Sequence, residues 1–144
     1  MTECVTDLRA ADKKALLAEL ARLAARKAGA EPAELLRLLA AREALGSTGI
    51  GAGIAVPHAR LPGLAAPLGF FARLNRPVAF DAIDGKAVDL VFLLLSPAQD
   101  HGSHLAVLAA ASRRLREPAV VAAIRAAGDP AAIAAALGPL PHIG

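Results

Sequence analysis

The chain has one cysteine, Cys4, among 144 residues, and neither tryptophan nor tyrosine. A single thiol excludes an intrachain disulfide, so the core alone must hold the fold, and a reducing compartment is the natural setting. Phenylalanine, at four copies, is the sole aromatic residue type. Single-stranded nucleic acid is gripped by stacking bases on aromatic rings, and this chain has almost nothing to build such a platform with, so no nucleic-acid partner is expected. Long apolar runs are also lacking. The longest strongly apolar stretch, LVFLLL from Leu90, falls far short of the ~20 residues that span a bilayer. At the start, MTECVTDLRAADKK carries Glu3 and Asp7 where a signal peptide would need an apolar segment. These absences predict a cytoplasmic protein without membrane insertion. Charge is undistinguished as well: the formal net charge is +3, from 16 Lys and Arg against 13 Asp and Glu that alternate along the chain, which describes a solvated surface.

What is present is a hydrophobic content of 56%, enough for one core over residues 1–144. From Asp12 to about Lys27, Leu16, Leu20 and Leu23 recur at helical spacing. Pro32 suits the first turn of a second helix with the stripe Leu35, Leu38 and Leu39, stopped at Gly46. Four strand signals follow: GIAV, APLGFFARL, PVAF and AVDLVFLLL. The second and fourth are apolar on both faces, as central strands covered by helices would be. Asp84-Gly85, between the third and fourth, marks a tight turn. Helical pattern returns in HLAVLAAASRRLRE, then from Pro118 to about Ala127, then from Pro130. Helices, then strands, then helices describe a layered α/β or α+β domain.

The chemistry concentrates in STGIGAGIAVPHARLPG, residues Ser47 to Gly63. Gly49, Gly51 and Gly53 do not make a P-loop, which ends in Gly-Lys-Ser/Thr, nor a dinucleotide fingerprint, which follows a strand rather than a helix. They are compatible with a tight helix-to-strand connection, or with a nest of backbone N–H groups facing an anion. His58 follows Pro57, which stiffens the chain and removes a donor where the strand is expected to end. Helical phase adds two polar residues on apolar stripes: Arg42 follows Leu35, Leu38 and Leu39, and His104 shares a face with Leu108, Ala111 and Leu115. Arg42 can be a cation favouring a helix C-terminus, and His104 a hydrogen-bonded core histidine. Together with His58 they also suit one anion site, since a guanidinium matches phosphate oxygens and neutral imidazole is a competent nucleophile. A metal site of His58, His101 and His104 is the competing reading, weakened by Gly102 between the last two and by the absence of a nearby cysteine. A Ser-His-Asp hydrolase lacks its G-x-S-x-G elbow.

REALGSTGIGAGIAVPHARL closely resembles the phosphorylation-site segment of the fructose/mannitol class of IIA proteins in the bacterial phosphoenolpyruvate-dependent sugar phosphotransferase system. FDAIDGKAVDLVFLLLSP, HLAVLAAASRRLRE and TECV resemble further segments of its nitrogen-regulatory branch, in order and over nearly the whole chain. The resemblance implies a single α/β domain with a mixed β-sheet flanked by α-helices on both faces. It implies that His58 accepts a phosphoryl group from the histidine phosphocarrier protein, which enzyme I charges, and that Arg42 and His104 complete the active site. Ser47, Thr48, Gly49, Gly51 and Gly53 would form the loop presenting backbone donors to phosphate. No metal or other cofactor is implied. Onward transfer to the cysteine of a IIB partner would make the chain a transport subunit instead of a regulator, and a chain that keeps the fold without being phosphorylated would be a binding module, which His58, Arg42 and His104 speak against. Ala59-Arg60 stands where nitrogen-type members often show Gly-Lys, a departure expected to touch the partner surface rather than the chemistry. His101 and His142 match no functional position.

Overall fold

Asp12 begins the first helix by accepting a hydrogen bond from Ala15 N at 2.8 Å, the cap its side chain is suited to. A computed structural model describes residues 2–143. Strand β1 (Glu3–Leu8) leads into helices α1 (Lys13–Ala28) and α2 (Pro32–Ala44). Three short strands follow, β2 (Gly49–Gly51), β3 (Ile54–Ala55) and β4 (His58–Leu61), then two long ones, β5 (Leu68–Val78) and β6 (Val88–Pro97). Helices α3 (His101–Arg114), α4 (Pro118–Ala126) and α5 (Pro130–Leu137) close the chain.

The sheet runs β1-β5-β6-β3-β2, with β4 also paired to β6. It is mixed: β5 and β6 are antiparallel, whereas β1 lies parallel to β5, and β3 and β4 lie parallel to β6. Side-chain alternation along β6 sorts the two layers. Val91, Leu93 and Leu95 face α1 and α2, while Leu90, Phe92 and Leu94 face α3, α4 and α5. Each of these side chains is at most 1% exposed, which stabilises the fold by about 1.5–3 kcal/mol per residue before entropy is counted. The fold is thus the single α/β domain with helices on both faces that the family likeness implied.

Four details differ from the sequence-based expectation. PVAF is no separate strand, because β5 continues to Val78 through the exposed stretch Asn75–Pro77, with an irregularity in its register on β6. β1 was hidden by its own acids: Glu3 and Asp7 are exposed at a sheet edge, so the segment shows no clean alternation. Helix α3 starts at His101 in spite of Gly102, because Asp100 accepts from Ser103 N at 3.0 Å and fixes the first turn. The strand carrying His58 does not end there. β3 and β4 follow one track along β6, with Ile54 opposite Leu90 and His58 opposite Leu94, and Val56-Pro57 interrupt it.

Candidate functional site

Pro57 cannot donate to a ladder, yet its carbonyl still accepts from Leu94 N at 3.0 Å, so the chain stays attached to β6 across the break. The break frees the Val56 carbonyl for the His58 ring, whose Nδ1 lies 2.9 Å away. On the other side of the ring, Arg42 Nε donates to His58 Nε2 at 3.2 Å. A carbonyl can only accept and a guanidinium can only donate, so one neutral tautomer satisfies both contacts: Nδ1–H toward Val56, with the lone pair on Nε2 toward Arg42.

Arg42 occupies the last turn of α2 and also donates through Nη1 to the Gly46 carbonyl at 2.9 Å. Arg42 is thus a cation in the last turn of its helix that also reaches the histidine. The His58 ring is half-buried, and burial is the main reason its pKa is held below the ordinary 6.5. The Val56 carbonyl opposes that shift, the Arg42 cation adds to it, Glu43 opposes it, and Arg60 adds to it. A neutral imidazole whose lone pair is held by an exchangeable hydrogen bond from a cation has the chemistry of a nucleophile toward an anionic electrophile.

His104 stands in the first turns of α3 and is 4% exposed. Its ring meets that of His58 edge-on, with centroids 5.3 Å apart. Its Nδ1 lies 2.7 Å from Oγ of Ser96, at the end of β6. Arg60, two residues beyond His58, reaches the Asp100 carbonyl at 3.3 Å and ties β4 to the start of α3. His58, Arg42 and His104 are thus brought together from three elements.

Gly51 and Gly53 sit farther along the sheet than His58. Gly51 and Gly53 flank the β2–β3 turn, and Gly53 C=O accepts from Asp89 N and Leu90 N, four residues before Leu94 on β6. At the rise of an extended strand that separation is about 13 Å. The turn's amide at Ala52 donates to Asp84 Oδ2 at 2.9 Å, not to open space. Gly49 is needed for a different reason: a Cβ there would sit 2.8 Å from Ala82 Cβ and 2.9 Å from Ala82 Cα. In the structure the glycines serve close backbone approach and a tight turn. Ser47 and Thr48 are also occupied internally. Ser47 Oγ donates to the Phe80 carbonyl at 2.6 Å, and Thr48 gives its N–H and its hydroxyl to Glu43 at 3.0 and 2.5 Å.

Glu43 and Ser96 escaped the sequence reading. Glu43 falls four residues after Leu39, squarely on the buried stripe of α2, and is 8% exposed, with Lys13 Nζ 3.1 Å away. A carboxylate in that phase was a legible signal. Ser96 ends an otherwise apolar strand and shares the parity of Leu90, Phe92 and Leu94, which turns it to the α3 layer. For the metal alternative, the His101 side chain lies outside the described residues. Among the described residues no group of three or more His, Cys, Asp or Glu is placed to hold an ion. His58 Nε2, moreover, faces a guanidinium, which would repel a cation.

Comparison with known proteins places the chain. Its fold is that of IIA domains. The mannitol IIA of Escherichia coli superposes with a TM-score of 0.77 over 94% of this chain and 96% of that one, although at 20% identity this concerns architecture alone. The nitrogen regulatory protein IIA-Ntr of Neisseria meningitidis superposes with a TM-score of 0.90 at 36% identity, covering 94% and 93% of the two chains. In sequence, a nitrogen regulatory protein of Bradyrhizobium diazoefficiens is 44% identical over 126 residues, 88% of this chain and 82% of the relative. Residues 2–138 match the family described as phosphoenolpyruvate-dependent sugar phosphotransferase system, EIIA 2, and the chain belongs to that family. No helix among the described residues is long and apolar enough to cross a membrane.

Proposed function

We propose that this chain is a phosphocarrier of the nitrogen-type phosphotransferase system, accepting a phosphoryl group on His58 Nε2 from the histidine phosphocarrier protein. Its phosphorylation state then governs which partner proteins it binds, as the regulatory names of its relatives suggest. The observation that carries the reading is the line Val56 carbonyl, His58 ring, Arg42 guanidinium, which fixes one tautomer and points its lone pair at a cation.

The chemistry follows from that line. The Nε2 lone pair forms the new N–P bond while the donor's N–P bond breaks and returns its electron pair to the donor imidazole. Arg42 exchanges its contact with the ring for contacts with the equatorial oxygens, over which the charge of the transition state is spread. The Val56 carbonyl keeps Nδ1–H, so the ring stays oriented as it becomes cationic and is stabilised in that form. The phosphoryl group arrives already activated, and alignment of the two nitrogens with phosphorus supplies the rest of the catalysis without nucleotide or metal.

The test is incubation with phosphoenolpyruvate, enzyme I and the phosphocarrier. One acid-labile, alkali-stable phosphate per chain is expected, and none on His58→Ala. Equal labelling of His58→Ala would overturn the assignment. Passage of the label to a IIB cysteine in an added IIB protein would make the chain a transport subunit.

A further inference from the structure

Ser96 is fully buried, and among the described residues the hydrogen-bond partner of its hydroxyl is His104 Nδ1 at 2.7 Å. A hydroxyl both donates and accepts, so the contact by itself fits either tautomer of His104. The surroundings decide between them. If Nδ1 carried the proton and Ser96 accepted it, the serine's own O–H would be left in the core without an acceptor among the described residues. A buried unsatisfied donor is costly, whereas a hydroxyl lone pair left idle costs little. The serine therefore donates. His104 Nδ1 accepts, and in the neutral ring the remaining proton sits on Nε2.

From this we infer that Ser96 is a positioning residue for phosphoryl transfer, one that holds His104 in the Nε2–H tautomer, opposite to the Nδ1–H tautomer of His58. The inference rests on the proposal that His58 is the phosphoacceptor. The two rings, 5.3 Å apart, then differ in role. His58 presents a lone pair because a carbonyl takes its Nδ1 proton, while His104 presents an N–H because a hydroxyl fills its Nδ1 lone pair. Phosphoryl oxygens only accept hydrogen bonds, so a His104 ring in the other tautomer would turn a lone pair toward negative charge. The serine prevents this without itself touching the phosphoryl group.

The placement of Ser96 is a consequence of the sheet. It lies opposite Arg60 in the β4–β6 pairing, two positions beyond the His58 pair, and its strand parity directs it to α3. The first turn of that helix is fixed by Asp100, whose backbone carbonyl also receives Arg60. The serine and its histidine are thus held from both sides by backbone that is itself pinned.

The decisive measurement is the imidazole nitrogen NMR spectrum of the unphosphorylated wild-type protein at about pH 8, above the ordinary imidazole pKa. His104 Nδ1 is expected to resonate as an unprotonated, pyridine-like nitrogen and Nε2 as a protonated, pyrrole-like one, with the reverse pattern on His58. A protonated Nδ1 on His104 overturns the inference without any variant having been made. In Ser96→Ala the His104 pattern should become a mixture of both tautomers. The maximal rate of His58 labelling should fall about three- to tenfold while half-saturation by the phosphocarrier stays constant. An unchanged tautomer and an unchanged rate in that variant would also overturn it. Should wild-type protein take no phosphate on His58, the acceptor proposal fails, and the Ser96 tautomer assignment is still decided by the spectrum.

Discussion

Arg42 Nε and His58 Nε2 lie 3.2 Å apart, joining the last turn of α2 to the first residue of β4 across sixteen positions of sequence. The contact makes the histidine's Nε2 lone pair and the arginine's guanidinium parts of one hydrogen-bonded unit. The predictions below test that unit, its pH response and the elements that hold it.

Arg42→Lys should fold normally and accept phosphate about 10- to 100-fold more slowly, because an ammonium keeps the charge but lacks the planar fork that meets two phosphoryl oxygens. Single-turnover labelling by the charged phosphocarrier measures this. A rate equal to wild type would reduce Arg42 to a helix-end cation.

Acceptance should persist into mildly acidic solution. Burial holds the His58 pKa below 6.5, so the neutral nucleophile survives at pH values where an exposed histidine is half protonated. The rate should therefore fall to half at a pH below 6.5. The same shift bears on stability. In the unfolded chain His58 titrates near ~6.5, so above that pH its contribution is complete, and as pH falls through the lower folded value the stability is lost. Imidazole titration by NMR, with urea melts on either side of ~6.5, checks both signs. A His58 pKa above 6.5 would contradict them.

Glu43→Ala should destabilise the protein by about 2–4 kcal/mol, since it leaves the Thr48 amide and hydroxyl, both buried, without their acceptor and leaves Lys13 only the more distant of its two carboxylate partners, Asp81. Glu43→Gln should cost less, because its amide oxygen still accepts from Thr48. Urea midpoints compare the two, and equal losses would mean the hydrogen bonds are not what Glu43 contributes.

Gly53→Ala should destabilise by about 1–3 kcal/mol yet leave labelling of His58 unchanged per folded molecule. Gly53 has φ +82°, and a Cβ there would lie 2.6 Å from Arg125 Nη2 and 2.8 Å from Asp89 Oδ1, disturbing the ion pair beside the hairpin. A labelling rate that drops in well-folded variant protein would return the glycine loop to the site.

Much of this protein was written in local sequence. Leucine spacing, prolines at first turns and Asp12 and Asp129 as caps specified the helices, because those signals act within a turn or two of chain. The doubly apolar runs identified β5 and β6 as central strands, since only a strand covered on both faces can bury every side chain. Arg42 and His104 were visible as polar residues in apolar phase, and His58 through the AVPHA element. What the sequence could not decide was which backbone groups meet which side chains. The glycines adjoin His58 in sequence, yet the β2–β3 hairpin carries Gly51 and Gly53 toward the other end of β6, because strand pairing, and not chain proximity, sets position in a sheet. The Val56 carbonyl, the Ser96 hydroxyl and the Arg42 guanidinium come from segments tens of residues apart or hidden in a strand break. Only their convergence gives each histidine its tautomer, since a proton's place on an imidazole is set by the partners around the ring and not by the residue's neighbours in the chain.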